Sequence, residues 1–427
     1  MQNTAIQKVM SEPLSITSCH DCGLLQKTQH MPEDGAVKCC RCIALLRQRQ
    51  RIAPEQSIEH SLALVITAIV LLILANVFPI LHLQVGGHEM SATLFAGVQH
   101  FLDHDMKLLA GLVFITSIGA PMLQLGGLLY VLLPLYLNHV PWQAPHVYRF
   151  IRMITSWSML EVFMLGILVS IVKLAGMATV TPGIGLWAFG ILIFLIAAII
   201  AGSDAEIIWD QISAYKRPDL KHDNLGQTKM VNCHNCNLLT SLPVDAHNVC
   251  CPRCDSPLHF RKPDSLVRSS ALLIAAIVLF IPANLLPMMV VTNLGSTEGD
   301  TIMSGVIYLL TSGDWPLALV IFIASVFVPS IKLIILSFLQ ISVYLNIQWN
   351  PNERTRLYRL TEAIGRWSMV DIFVVTLMAA LIQIQGIAEI EAGLGALAFG
   401  AVVVLTLLSA MAFDPRLIWD KLESPNG

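Results

Sequence analysis

The stretch SLALVITAIVLLILANVFPI, residues 61–80, contains no acidic or basic side chain, and SSALLIAAIVLFIPANLLPM, residues 269–288, matches it half a chain later. A helix needs about 20 apolar residues to cross the hydrocarbon of a bilayer, so each stretch reads as a membrane span. Further runs free of Lys, Arg, Asp and Glu cover 108–138, 153–160, 174–203, 333–352 and 392–413. Of the 427 residues 55% are hydrophobic and 13% charged, against about 25% charged in a soluble domain. The chain is therefore expected to be a polytopic α-helical membrane protein. A net charge of −3 offers no basic surplus, so no nucleic-acid partner is expected.

The two quoted stretches belong to a longer repetition. Cys19-His20-Asp21-Cys22 returns as Cys233-His234-Asn235-Cys236, and Trp157-Ser158-Met159-Leu160-Glu161 as Trp367-Ser368-Met369-Val370-Asp371. Ala188-Phe189-Gly190 and Ile208-Trp209-Asp210 return as Ala398-Phe399-Gly400 and Ile418-Trp419-Asp420, in the same order. Several matches in one order imply a tandem repeat of four transmembrane helices, each repeat preceded by a small cysteine-rich module. The expected division is a module over 1–55, a membrane repeat over 56–210, a second module over 211–262 and a second repeat over 263–427. Spans are expected near 61–84, 108–137, 153–177 and 183–203, then 268–292, 315–345, 361–386 and 393–413. The second and sixth exceed the bilayer thickness and are expected to tilt or project.

Basic residues set orientation, because short loops rich in Lys and Arg stay in the cytoplasm. All but Lys107, Lys173 and Lys332 of the 26 lie in segments on one side of the membrane: before the first span, at 149–152, 216–268 and 354–366, and after 413. The opposite loops carry Glu89, Asp103, Asp105, Glu298, Asp300, Glu389 and Glu391. Both modules and both termini are thus expected in the cytoplasm, with the two repeats parallel rather than inverted. The first 50 residues lack an unbroken apolar core, so no cleavable signal is expected.

Eight cysteines form paired CxxC knuckles, Cys19/Cys22 with Cys39/Cys42 and Cys233/Cys236 with Cys251/Cys254. Two tight turns can present four thiolates to one tetrahedral ion, which reads as a zinc ribbon with a structural Zn²⁺ in each module. The other reading is a set of cytosolic dithiols cycling with disulfides. Cys40 and Cys250 adjoin the presumed ligands, and a shift of one position leaves Cys39 and Cys40 as alternatives in the first site.

Ionisable groups inside a span are costly and point to function. Lys332 follows Pro329 by one turn in the sixth span, with Ser325 two turns before it on the same face. The proline removes the donor that the Ser325 carbonyl would use. The second span repeats the device with Ser117 and Pro121 but carries Gln124 in place of the lysine. Asp371 and Glu161 each stand one turn after a serine, Ser368 and Ser158. Lys173 lies near the far end of the third span, with Gln383 as its counterpart, and Thr406 adds a hydroxyl at mid-depth of the eighth. A polar core of Lys332, Asp371, Ser325, Ser368 and Thr406 is expected, with Asp371 as counter-ion to Lys332. Glu161 and Lys173 are either part of such a relay or interfacial groups that snorkel. Asn76 with Pro79 and Asn284 with Pro287 are expected to end or kink the first span of each repeat. Trp209 and Trp419 are read as interfacial anchors. No Walker loop, GxSxG elbow or HExxH occurs, so nothing marks an enzyme of those classes.

Paired CxxC modules leading into four spans, with LANVFP (74–79) and PANLLP (282–287) in the first span of each repeat and WSMLEVF (157–163) and WSMVDIF (367–373) in the third, resemble the paraquat-inducible protein A family, in particular its LetA (YebS-like) branch. The resemblance covers essentially the whole chain. It implies a bacterial inner-membrane component of a lipid-trafficking system, working with membrane lipids and a periplasmic MCE-domain tunnel protein. It also implies that the polar core couples lipid movement to protons. Two other readings stay open: a proton-coupled transporter of a small solute, and a non-transporting scaffold or regulator that senses metal or redox state through its cysteines.

Overall fold

The computed structural model describes residues 15–28, 36–48, 54–85, 88–175, 179–202, 205–214, 228–243, 249–293, 296–313, 315–347, 349–381, 383–384 and 388–420. Eight helices in it are long and apolar enough to cross a membrane: Ile58–Val77, Lys107–Tyr136, Ala144–Val172 and Ile184–Gly202, then Ser265–Leu285, Ala318–Tyr344, Pro351–Leu381 and Leu394–Ala412. In each repeat the first span packs along the fourth, and the third span of one repeat crosses the third span of the other. At that crossing Phe163 and Phe373 meet edge to face with ring centres 5.0 Å apart. Gly166 makes the approach possible, since a Cβ there would lie 2.9 Å from Cβ of Phe373.

The first and fifth spans stop earlier than hydropathy suggests, at Val77 and Leu285. Pro79 and Pro287 force the preceding backbone out of the helical region, and the apolar residues that follow enter antiparallel hairpins. Leu81–Val85 pairs with His88–Ala92 and with Thr179–Pro182 from the loop after the third span. Met289–Asn293 pairs likewise with Ser296–Asp300 and Ala388–Ala392, the latter joined by Gln383–Ile384. These sheets cap the end of the bundle opposite the cysteine modules. Asn76 and Asn284 satisfy their own helices, each side-chain amide donating to the carbonyl one turn back, Leu72 at 2.7 Å and Phe280 at 2.8 Å.

The prolines after these helices have a second role. Gly183 and Gly393 sit so close to the preceding hairpins that a Cβ would fall 2.2 Å from the Pro79 carbonyl oxygen and 2.1 Å from that of Pro287. Their backbone N–H groups donate to Ile80 and Met288 at 2.8 and 2.9 Å. The fourth span of each repeat is thereby fastened to the first.

The second and sixth spans share one irregularity. Each contains a π-helical turn, Ile115–Gly119 and Ile323–Phe327, just before Pro121 and Pro329. A proline leaves one carbonyl unpaired, and a widened turn is a common way for the helix to pass it. The third and seventh spans are broken, not continuous. Ala144–Thr155 gives way to Leu160–Ala175, and Pro351–Gly365 passes through a 3-10 turn, Arg366–Met369, into Val370–Leu381. The breaks fall at the repeated Trp-Ser-Met motif, where Met159, Ser368 and Met369 are buried among other helices, a setting in which irregular backbone is tolerated at membrane depth, while Trp367 is exposed. The two spans begin at Ala144 and Pro351, well before the expected positions 153 and 361, because the polar leading turns carry the helix into the module layer.

Candidate functional site

The cysteine modules are built from hairpins whose turns carry the ligand pairs. Ser15–Ser18 pairs with Leu25–Thr28, Ala36–Lys38 with Leu45–Gln48, and Thr228–Asn232 with Leu239–Pro243. After each second cysteine stands a residue with positive φ: Gly23 at 75°, Ile43 at 60°, Asn237 at 57° and Asp255 at 54°. That residue lets the chain turn sharply enough for its N–H to reach the carbonyl of the first cysteine, at 3.0 Å in three knuckles and 2.9 Å in the fourth.

All eight presumed ligands are buried, and in each module the four sulfurs lie within 4.8 Å of one another. Cys19 and Cys42 are 3.5 Å apart, Cys22 and Cys39 3.6 Å, and Cys233–Cys254 and Cys236–Cys251 both 3.5 Å. A tetrahedral ion with thiolates at about 2.3 Å needs sulfurs about 3.8 Å apart, so both clusters could hold a metal ion. Cys40 is exposed, with its sulfur toward Gln26 at 3.2 Å, and Cys250 is exposed too. The first site is therefore built from Cys39 and not Cys40. Within each cluster the thiols share protons: hydrogen bonds from neighbouring thiols, Cys236 and Cys22 foremost, hold Cys233 and Cys19 below the ordinary thiol range, and the same contacts push Cys236 and Cys22 up. Thiolate is the form that ligates metal.

Each module packs on the membrane repeat to which it is not adjoined as a leader. The first module joins Leu339, Tyr358, Phe413, Ile418 and Trp419 of the second repeat in one apolar cluster. Asp21 accepts from Arg359 at 2.5 Å, the His20 carbonyl from Arg416 at 3.2 Å, and the Arg41 guanidinium lies 4.2 Å from the centre of the Trp419 ring. The second module makes the same arrangement on the first repeat. Arg253 pairs with Asp210 at 2.6 Å over the Trp209 ring, and Arg152 donates to the Asn235 carbonyl at 2.9 Å. Trp209 and Trp419 are 0% and 3% exposed. They are docking posts for the modules, not the interfacial anchors that their place after the last span suggested. The last residues of the second module also touch the repeat that follows it: Arg261 pairs with Asp420 beside the second post, and Lys262 donates to the Met411 and Phe413 carbonyls.

The expected polar core is not gathered in one place: Lys332 lines one cavity, Ser325 and Asp371 line another, and Ser368 and Thr406 line neither. Lys332 is 2% exposed and its Nζ donates to the Gly365 carbonyl at 3.4 Å, where the seventh span breaks. It lines a cavity of about 630 Å³ at the module end, between the repeats. Ser325 and Asp371 line a smaller cavity of about 60 Å³, together with Asp300 and Thr301 under the second sheet. The described ion pairs include none between Lys332 and Asp371. Ser325 and Ser368 are buried with no hydrogen-bond partner for their hydroxyls among the described residues, while Thr406 donates to Val403 at 3.0 Å. Glu161 is exposed and lines neither cavity. Lys173 lies on its helix, with its side chain outside the described residues, as are the side chains of Glu89, Glu298 and Glu389.

One polar node escaped the sequence reading. Ser269, Gln340 and Ser409 are all buried, Gln340 donating to Ser269 at 2.7 Å and the two serines 3.1 Å apart. Hydroxyls and amides in spans commonly join helices in this way, and here they tie the fifth, sixth and eighth together. Their spacing across three helices left no local pattern to find.

The paraquat-inducible protein A family model matches residues 58–213 and 266–423. Lipophilic envelope-spanning tunnel protein A of Escherichia coli (strain K12) is 31% identical over 408 residues, covering 96% of this chain and 92% of that protein. Intermembrane transport protein PqiA of the same strain is 31% identical over 409 residues, 94% of this chain and 95% of that protein. A probable intermembrane transport protein of Haemophilus influenzae (strain ATCC 51907 / DSM 11121 / KW20 / Rd) is 29% identical over 415 residues, 96% and 97% of the two chains. No solved structure matches. Equal identity to the first two relatives selects no branch, but a match to both repeats and alignment over nearly the full length assign the multi-pass chain to its family: it belongs to the paraquat-inducible protein A family.

Proposed function

We propose that the protein is the inner-membrane component of an intermembrane lipid transport system, passing lipid to or from a periplasm-spanning MCE-domain tunnel protein. The observation that carries this reading is near full-length similarity to relatives named as intermembrane transport and envelope-spanning tunnel proteins. Eight spans with one cavity between the repeats at the module end and another under the second sheet, each carrying ionisable residues in its lining, suit a carrier. Lys332, Asp371, Ser325, Ser368 and Thr406 couple the transport to proton movement, since buried ionisable groups respond to a gradient. Broken third and seventh spans beside these groups support the assignment, as transporter sites are commonly formed by discontinuous helices.

Each module holds one Zn²⁺ through four thiolates, with both modules and both termini on the cytoplasmic side. Four thiolates leave no open position, so the metal's role is structural. The module folds 1–55 and 211–262 dock onto repeats 263–427 and 56–210. No step in this account calls for enzymatic chemistry by the chain.

Purification from native membranes in mild detergent, followed by mass spectrometry, tests the proposal. Co-purification of an MCE-domain protein and phospholipid is expected. A chain recovered without partner or lipid, but catalysing proton-linked flux of a small solute in vesicles, would replace it with the solute-transporter reading.

A further inference from the structure

The cavity of about 630 Å³ at the module end is lined from both repeats. Gln124 and Lys332 stand at matching positions, each three residues after the proline of its span, and both face this one cavity. Both are 2% exposed, and Oε1 of Gln124 has no hydrogen-bond partner among the described residues. Burying an ammonium and an amide costs free energy unless each finds a partner, and the weak 3.4 Å contact of Lys332 to Gly365 provides little.

Two arginines also line the cavity, Arg152 and Arg359. Each is held by the first knuckle of a cysteine module, Arg152 by the Asn235 carbonyl and Arg359 by Asp21. The modules thus fix the cationic rim from opposite sides. Glu362 is the sole carboxylate among the lining residues. Thr361 adds a hydroxyl near the cations, and Leu128, Ile199 and Leu407 give the remaining wall an apolar surface. A volume of this size is in the range of pockets that hold small organic ligands.

We infer that this cavity binds the phosphate group of a glycerophospholipid, with Lys332 and the Gln124 amide donating to the phosphate oxygens, Arg152 and Arg359 screening its charge, and the apolar wall accepting the start of the acyl chains. With Arg359 paired to Asp21, Lys332 and Arg152 stand against the one lining carboxylate, Glu362, which leaves the cavity cationic and favours an anion, and the apolar wall selects an amphiphile over free phosphate. The ligand class rests on the lipid-transport reading. The symmetric placement of a lysine and a glutamine then has a purpose: one repeat supplies charge and the other a neutral donor, so a single headgroup is gripped from both sides.

Native mass spectrometry of the full chain in mild detergent tests this, titrating dioctanoylphosphatidylglycerol, dioctanoylglycerol and inorganic phosphate separately. One saturable phosphatidylglycerol adduct is expected, with none from dioctanoylglycerol or phosphate at the same concentrations. Lys332→Gln is expected to weaken it about ten- to hundredfold, the loss of one charge-assisted hydrogen bond. Arg152→Gln, at an exposed rim position, is expected to weaken it several-fold, and it keeps the test decisive if Lys332→Gln does not fold. Unchanged affinity in the folded variants, equal binding of dioctanoylglycerol, or equal binding of inorganic phosphate would overturn the proposal. If the partner and lipid still co-purify in that case, the site falls and the transport reading stands.

Discussion

The Arg41 guanidinium lies 4.2 Å from the centre of the Trp419 ring, joining the first cysteine module to the far end of the second membrane repeat. The residues are separated by nearly the whole chain. Arg253 and Trp209 make the reciprocal contact, so each repeat is closed by the module that precedes the other.

Removing the post should release the module. Trp419→Ala deletes a buried indole, at a cost of about 3–5 kcal/mol, whereas Arg41→Ala loses a cation–π contact of about 0.5–2 kcal/mol. Thermal unfolding in detergent should therefore show a clear drop for Trp419→Ala and a small one for Arg41→Ala. Equal effects would mean that the charge, not the packed ring, holds the module.

Metal content should follow burial of the sulfurs. The unsubstituted protein is expected to carry about two zinc ions per chain by elemental analysis. Cys39→Ser and Cys251→Ser should each lose one, while Cys40→Ser and Cys250→Ser, whose sulfurs are exposed, should lose none. Metal loss in Cys40→Ser would show that the first site uses the neighbouring thiol.

A methyl group at Gly393 would lie 2.1 Å from the Pro287 carbonyl oxygen, whereas one at Gly126 meets nothing within 4 Å. Gly393→Ala should cost about 1–3 kcal/mol as a forced overpacking. Gly126→Ala, in an open helical position, should be neutral or slightly stabilising. Matched melting curves of the two variants check this.

The node at Gln340 should behave as a structural tie. Gln340→Leu leaves Ser269 and Ser409 bonded to each other, so it should cost about 0.5–1.5 kcal/mol without abolishing transport. Loss of transport in a normally folded Gln340→Leu protein would move the node into the functional site.

Much of this was legible in the residues themselves. Seven charge-free runs, with the recurring motifs to place the seventh span by analogy to the third, were enough for eight spans in two repeats, because span length and repeat order are local properties. The CxxC spacing gave both thiol clusters for the same reason. The crossed docking was not legible, since Trp209 and Trp419 look like interfacial anchors until Arg253 and Arg41 are seen above them. The first strand of each sheet was hidden at the end of an apolar run that hydropathy assigns to a helix, where only Pro79 and Pro287 hinted at the change, and its partner strands lie in short polar loops with no strand pattern. The sequence suggested Asp371 as counter-ion to Lys332; the fold sends them to separate cavities, which depends on how the sixth and seventh spans cross.

The most direct test of the central claim is transfer of labelled phospholipid from vesicles containing the purified protein to the MCE-domain tunnel protein, with and without a proton gradient. Lipid is expected to reach the tunnel only when the chain is present, the gradient to change the rate, and Asp371→Asn to remove the gradient's effect. Equal loading from vesicles lacking the protein would contradict it.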